Sequence, residues 1–223
     1  MGSNIIIKTK KSRKVYDYKN KEMNCPIWSE EDFDMTSDGS TVFSQMAYKF
    51  NGDLKSGYYL EIGAGHYKEG NNTYSLEKDH GWRGVSIDIS PAMVQGFDGN
   101  RSNKCIQADA LSFNWIKFLE ENSFPKSIDF LSIDIDAMSH DYANLIALLN
   151  IPMTQYSFKV IVIEHEAGMY YELEKLRDLQ RDILTILGYS LVFRGDTDDV
   201  WTKQKISSMN GFGQINRLLK NKI

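Results

Sequence analysis

From residue 57 onward the sequence alternates short apolar runs with helical stretches, and each of the first five apolar runs ends on or near an acidic side chain. Alternation of strands and helices is the pattern of a mostly parallel α/β sheet covered by helices. The spacing predicts strands over 58–62, 83–87, 104–107, 130–133 and 159–163, with helices over 73–80, 91–95, 115–122 and 142–150 between them. A longer helix is expected over 170–187, with Leu173, Leu176, Leu179, Ile183 and Leu187 on its apolar stripe and Gly188 as its stop. Residues 189–194 and 200–203 flank Gly195-Asp196-Thr197-Asp198-Asp199, read as a hairpin turn on the surface that closes the sheet edge. Upstream, Ser40 is the expected cap of a short helix over 41–50.

A chain of 223 residues with 42% hydrophobic content fills one core rather than two, so residues 41–223 are expected to form a single domain. Residues 1–40 read as a basic arm followed by a loop. Lys8, Lys10, Lys11, Arg13, Lys14, Lys19 and Lys21 stand there against Asp17 alone between 8 and 21, with little apolar periodicity. Cys25 and Cys105 lie far apart with no partner at metal spacing, which excludes a disulfide framework and a zinc knuckle and fits a cytoplasmic protein. No apolar run approaches the roughly 20 residues that cross a bilayer. The net charge of -4 argues against a general nucleic-acid coat. The basic arm, with Lys203, Lys205, Arg217, Lys220 and Lys222 at the other end, nevertheless leaves nucleic acid as a less favoured partner, since no aromatic RNA platform accompanies the lysines.

In an open α/β sheet, ligands bind outside the carboxyl ends of the strands where the winding direction reverses. The first expected strand runs Tyr58-Tyr59-Leu60-Glu61-Ile62 into Gly63-Ala64-Gly65, a turn that lets a ligand approach the backbone beside a carboxylate. Lys68 stands where a dinucleotide fingerprint needs a small residue, and no Gly-Lys-Ser or Gly-Lys-Thr follows, so NAD and P-loop nucleotide binding are disfavoured. Asp88 ends the second strand, where a carboxylate accepts hydrogen bonds from ribose hydroxyls, and Asp109 follows the third, within reach of an adenine amine. A ligand with a cationic amino-acid part, a ribose, an adenine and no phosphate suits this set. S-adenosylmethionine has those parts.

The run YYLEIGAGHYKEGNNTYSLEKDHGWRGVSIDISP, residues 58–91, resembles the FkbM family of class I S-adenosylmethionine-dependent methyltransferases. The likeness includes Asn72-Thr73, the Leu-Glu-Lys segment at 76–78, the Gly-Trp-Arg-Gly turn at 81–84, Asn100-Arg101, and the fourth-strand segment from Ile128 to Asp136, so that it spans roughly 57–202. It implies a three-layer, doubly wound, Rossmann-like sheet of seven strands with the last antiparallel. It also implies O-methylation of a small hydroxylated molecule such as a sugar or natural product. Carried over, Glu61, Gly63, Ala64 and Gly65 would hold the methionine part, Asp88 and Ile89 the ribose side, and Asp109 with Ala110 the adenine edge. Asn72 and Thr73 would line the loop over the cofactor, and Asp134 would close the site. The chain departs from the family in having Asp88-Ile89-Ser90-Pro91 where a glutamate and proline are usual, and Ala137 where glycine often follows the paired aspartates.

Methyl transfer from a sulfonium is an in-line displacement, so the residues needed are those that place the acceptor and take its proton. Asp134 and Asp136 share one face of the fourth strand's end, with His140 and Asp141 after them and Glu164, His165 and Glu166 after the fifth strand. Two mechanisms stay open. Asp134, His140 or His165 acts as general base, or Asp134, Asp136 and Glu164 bind a divalent cation such as Mg2+ that acidifies a substrate hydroxyl. Trp82, Trp115, Tyr74 and Phe113 are expected as packing residues, and Tyr170 with Tyr171 as a wall of an acceptor pocket. The rival readings are an RNA or protein methyltransferase using the basic ends, and a non-catalytic cofactor-binding module. A homodimer is compatible with all of them.

Overall fold

The computed structural model describes residues 41–135 and 142–203. In chain order they form α1 (Val42–Phe50), β1 (Tyr58–Ile62), α2 (Tyr74–His80), β2 (Arg83–Asp88), α3 (Pro91–Phe97), β3 (Lys104–Gln107) and α4 (Trp115–Glu121). There follow β4 (Ser127–Ile133), α5 (Ala143–Asn150), β5 (Ser157–Glu164), a single 3-10 turn (Tyr171–Leu173), α6 (Glu174–Ile186), β6 (Ser190–Arg194) and β7 (Asp198–Thr202). The basic arm and the lysines beyond Lys203 lie outside the described residues, as do Cys25, Ser40, Asp136, Ala137, His140 and Asp141.

Among the described residues the strands make one seven-stranded sheet in the order β3-β2-β1-β4-β5-β7-β6. β1 pairs in parallel with both β2 and β4, and β7 is inserted antiparallel between β5 and β6. This is the class I methyltransferase arrangement, doubly wound with the last strand reversed. The winding changes direction between β1 and β4, so a crevice opens beyond their carboxyl ends. No helix among the described residues is long and apolar enough to cross a membrane.

Strand alternation divides the core into two layers. Leu60, Ile62, Ile87, Leu131, Ile133, Ile161 and Ile163 pack with Trp115 and Leu119 of α4, Leu148 of α5 and Leu184 of α6. On the opposite face Tyr59, Phe130, Val160, Val162 and Val200 pack with Met46 and Phe50 of α1, Leu76 of α2 and Trp82. Trp82 and Trp115 are buried, as packing residues should be.

Three local expectations need correction. The cap of α1 is Thr41, whose Oγ1 accepts from the Ser44 amide at 3.1 Å while Ser44 Oγ accepts from the Thr41 amide at 3.1 Å, a reciprocal capping box. Leu179 leaves the apolar stripe and is 46% exposed. The chain enters α6 through the 3-10 turn at 171–173, and the buried seam then steps by four residues through Leu176, Gln180 and Leu184.

The third correction concerns the acidic segment read as a surface turn. Asp198 and Asp199 are the first residues of β7, paired with Glu164 and Ile163 of β5, and both are buried. Arg181 of α6 grips Asp199 with two bonds, Nε to Oδ2 at 2.6 Å and Nη2 to Oδ1 at 2.8 Å. Burial disfavours the Asp199 carboxylate, but the hydrogen bonds and charge of Arg181, with the His165 ring close by, outweigh it and hold the carboxyl below its ordinary range. Removing one partner strands the other charge in the interior. Arg181→Leu should therefore lower stability by about 3–5 kcal/mol in urea titrations, a cost an exposed ion pair would not show.

Candidate functional site

The turn after β1 is fixed by a close approach of two strands. Gly63 has φ +76°, and a Cβ built on it would overlap the carbonyl oxygen of Asp134. The amides of Gly63 and Ala64 donate to the Ile87 carbonyl at 2.9 and 3.2 Å, and the Asp134 amide donates to Ile62 at 2.9 Å. The ends of β1, β2 and β4 are thus stitched around a residue that has to be glycine. Gly65, at φ +55°, differs because nothing lies within 4 Å of the position its Cβ would take. Its amide donates to Asp88 Oδ2 at 2.9 Å, and Asp88 Oδ1 accepts from the Ser90 amide at 2.8 Å.

Beyond this turn lies a cleft of about 390 Å³. Gly63, Ala64, Gly65, Asp88, Ile89, Asp109, Ala110 and Asp134 all line it, so eight of the expected cofactor residues come together. Asp109 shapes its own turn, accepting from the Leu111 amide and Ser112 Oγ, both at 2.9 Å. The free space over Gly65 and the carboxylates on three strand ends fit S-adenosylmethionine. His66, Glu69 and Gly70, from the loop joining β1 to α2, also line the cleft. The sequence reading missed them because no motif marks them.

Three expected cofactor residues stand elsewhere. Glu61 shares a strand face with Tyr59 and is buried, its Oε2 accepting from Ser86 Oγ at 2.6 Å, Thr73 Oγ1 at 3.0 Å and Asn71 Nδ2 at 3.2 Å. Burial pushes its carboxyl pKa up against the opposing pull of Arg101 and these three donors. Thr73 is buried in the same network, and neither residue lines the cleft. Asn72 lines a second cavity instead. Its Oδ1 accepts from Thr41 Oγ1 at 2.8 Å and its Nδ2 donates to Ser132 Oγ at 3.0 Å.

That second cavity, about 270 Å³, is walled by Thr41, Val42, Phe43, Gly70, Asn72, Asp134, Thr197 and Asp198. Gly70 and Asp134 border both cavities. Asp198 is 8% exposed and accepts from Thr197 Oγ1 at 2.6 Å. Burial, then the neighbouring Asp134 carboxylate, pushes the Asp198 pKa up to about 7. The same two causes push Glu164, whose Oε2 accepts from Asn144 Nδ2 at 3.2 Å, up to about 9. Near neutral pH Glu164 therefore keeps its proton while Asp198 is poised to exchange one.

His165 is not placed as a base toward either cavity. Its side chain is 1% exposed, Nδ1 accepts from the Ala167 amide at 3.0 Å, and Nε2 lies 3.6 Å from Asp199 Oδ1. Among the described residues no three His, Cys, Asp or Glu side chains gather closely enough to hold a metal ion. Asp136 and His140, the other members of the expected base and metal sets, lie outside the described residues. Tyr170 and Tyr171 are exposed and line neither cavity.

No protein-family model matches the sequence, and no curated protein matches it. Solved structures are similar at the level of fold. A SAM-dependent methyltransferase from Archaeoglobus fulgidus is 21% identical over 67% of this chain and 68% of its own, with a TM-score of 0.43. A SAM-dependent methyltransferase from Bacteroides fragilis, in complex with S-adenosyl-L-homocysteine, is 13% identical over 72% of this chain and 76% of its own, with a TM-score of 0.45. Aeropyrum pernix fibrillarin with bound S-adenosyl-L-methionine is 14% identical over 67% of each chain, with a TM-score of 0.41. The strand order and the reversed β7 carry the assignment: the described residues have the fold of S-adenosylmethionine-dependent class I methyltransferases.

Proposed function

We propose that this protein is a methyltransferase of the FkbM type that moves a methyl group from S-adenosylmethionine to a hydroxyl of a small molecule. The observation that carries the reading is the meeting of two cavities at one carboxylate: Asp134 borders both the glycine-lined cleft and the smaller cavity beside it. The cofactor supplies a methyl carbon already activated by its sulfonium. The protein's residues hold the cofactor in the larger cleft and the acceptor in the smaller cavity. Asp134, at the boundary, orients the acceptor hydroxyl in line, which is the main requirement of such a displacement. Asp198, in the acceptor cavity with a carboxyl pKa of about 7, takes the hydroxyl proton. Glu164, protonated beside it, spares the site a third negative charge.

The test is Asp134→Asn. It should lower turnover by about 100-fold or more while S-adenosylhomocysteine affinity stays within a few-fold of wild type. Because the Asp134 charge raises the Asp198 pKa, the rising limb of the pH–rate profile should also move to lower pH. An unchanged rate would remove Asp134 from the reaction.

A further inference from the structure

We propose that Arg101 is a positioning residue for the cofactor, setting the affinity of the cleft through the loop between β1 and α2 without touching the bound molecule. The proposal rests on the reading that the cleft holds S-adenosylmethionine. Arg101 follows α3, and its side chain is 0% exposed and absent from the cleft wall. Its guanidinium nevertheless reaches three segments. Nε donates to Glu77 Oε2 at 2.8 Å; Nη1 donates to the Tyr67 carbonyl at 2.9 Å and to Asn71 Oδ1 at 3.1 Å; Nη2 donates to Thr73 Oγ1 at 3.0 Å and Tyr59 Oη at 3.2 Å.

The path from Arg101 to the cleft is short. Asn71, held by Nη1, donates from Nδ2 to the carbonyl of Ala64 at 3.0 Å, and Ala64 is the middle residue of the glycine turn. Tyr67, held by the same nitrogen, directly follows the wall residue His66 and comes two residues before Glu69, another wall residue. One planar fork thus fixes both the turn and the loop from behind. A merely structural ion pair with Glu77 does not need this. The Glu77 carboxylate already accepts from the Ser102 amide at 2.6 Å and Asn103 Nδ2 at 2.9 Å. The remaining four bonds from Arg101 all go to β1 or to the loop and its junction with α2. A lysine keeps the positive charge but lacks the rigid fork that reaches both sides at once.

The experiment compares wild type, Arg101→Lys, Asn71→Ala and the double variant by calorimetric titration with S-adenosylhomocysteine, by steady-state kinetics and by thermal melting. Arg101→Lys and Asn71→Ala should each weaken binding about tenfold to hundredfold and raise KM for the cofactor, with kcat at saturating cofactor falling far less. The double variant should bind little worse than the weaker single one, because both changes cut the same path. Wild-type affinity in Arg101→Lys would overturn the proposal, as would losses that simply add in the double variant. If Arg101→Lys does not fold, Asn71→Ala decides alone, since it leaves the Glu77 pair in place; unchanged affinity there counts against the proposal. Failure of wild type itself to bind would defeat the reading of the cleft and this inference with it.

Discussion

Gly63→Ala should yield protein with no cofactor binding and a loss of stability of several kcal/mol. A left-handed backbone costs a non-glycine residue about 1–3 kcal/mol on its own. Here the added methyl also overlaps a backbone oxygen, that of Asp134, which no rotamer change relieves. The strand ends must separate, and the turn and Asp134 move together. Against a typical total of about 5–15 kcal/mol, this brings the fold near its threshold. Gly65→Ala provides the contrast. Its φ of +55° carries the same backbone penalty, but the space around it is open. It should remain folded, with a melting temperature a few degrees lower, and still lose S-adenosylhomocysteine binding because the methyl occupies the ligand's approach. Equal behaviour of the two variants, in folding and in binding, would contradict the assignment of separate roles.

Asp198→Asn should move activity and stability in opposite directions. Turnover should drop by about 100-fold to 10,000-fold if Asp198 takes the acceptor proton. Stability should rise at alkaline pH. Both Asp198 and Glu164 have folded-state pKa values raised above their ordinary 3.8 and 4.5, to about 7 and about 9. Between the ordinary and the raised values the unfolded chain has released protons that the folded chain keeps. Stability therefore falls as pH climbs from about 4 to about 9. Removing the Asp198 charge should flatten that decline, and the ascent of the rate through pH 7 should vanish with it. Melting curves from pH 5 to 9 beside pH–rate profiles measure both. A variant that loses stability at pH 8 as well as activity would mark Asp198 as structural.

What was legible in the sequence was what local pattern encodes. The bounds of β1 and β3 are those read from the apolar runs, because both strands begin and end within them. β4 and β5 start earlier than expected, at Ser127 and Ser157, since these polar residues pair with each other at the sheet's amino edge. The cleft was readable because its carboxylates follow strands directly. The second cavity was not. Its walls come from the start of α1, the loop at Gly70 and Asn72, the end of β4 and the start of β7. Asp-Thr-Asp-Asp at 196–199 has turn chemistry, and only the tertiary pairing of β7 with β5 turns Asp198 toward Asp134 and buries Asp199. Glu61 illustrates a subtler miss. Alternation places it on the face of Tyr59, away from the glycine turn's open side.

The central claim is that the cleft beyond the carboxyl ends of β1, β2 and β4 binds S-adenosylmethionine. Calorimetric titration of the purified chain with S-adenosylhomocysteine, run beside NAD, tests it most directly. The structure predicts saturable binding of S-adenosylhomocysteine at one site per chain and none of NAD. Absence of S-adenosylhomocysteine binding, or equal binding of NAD, would contradict it.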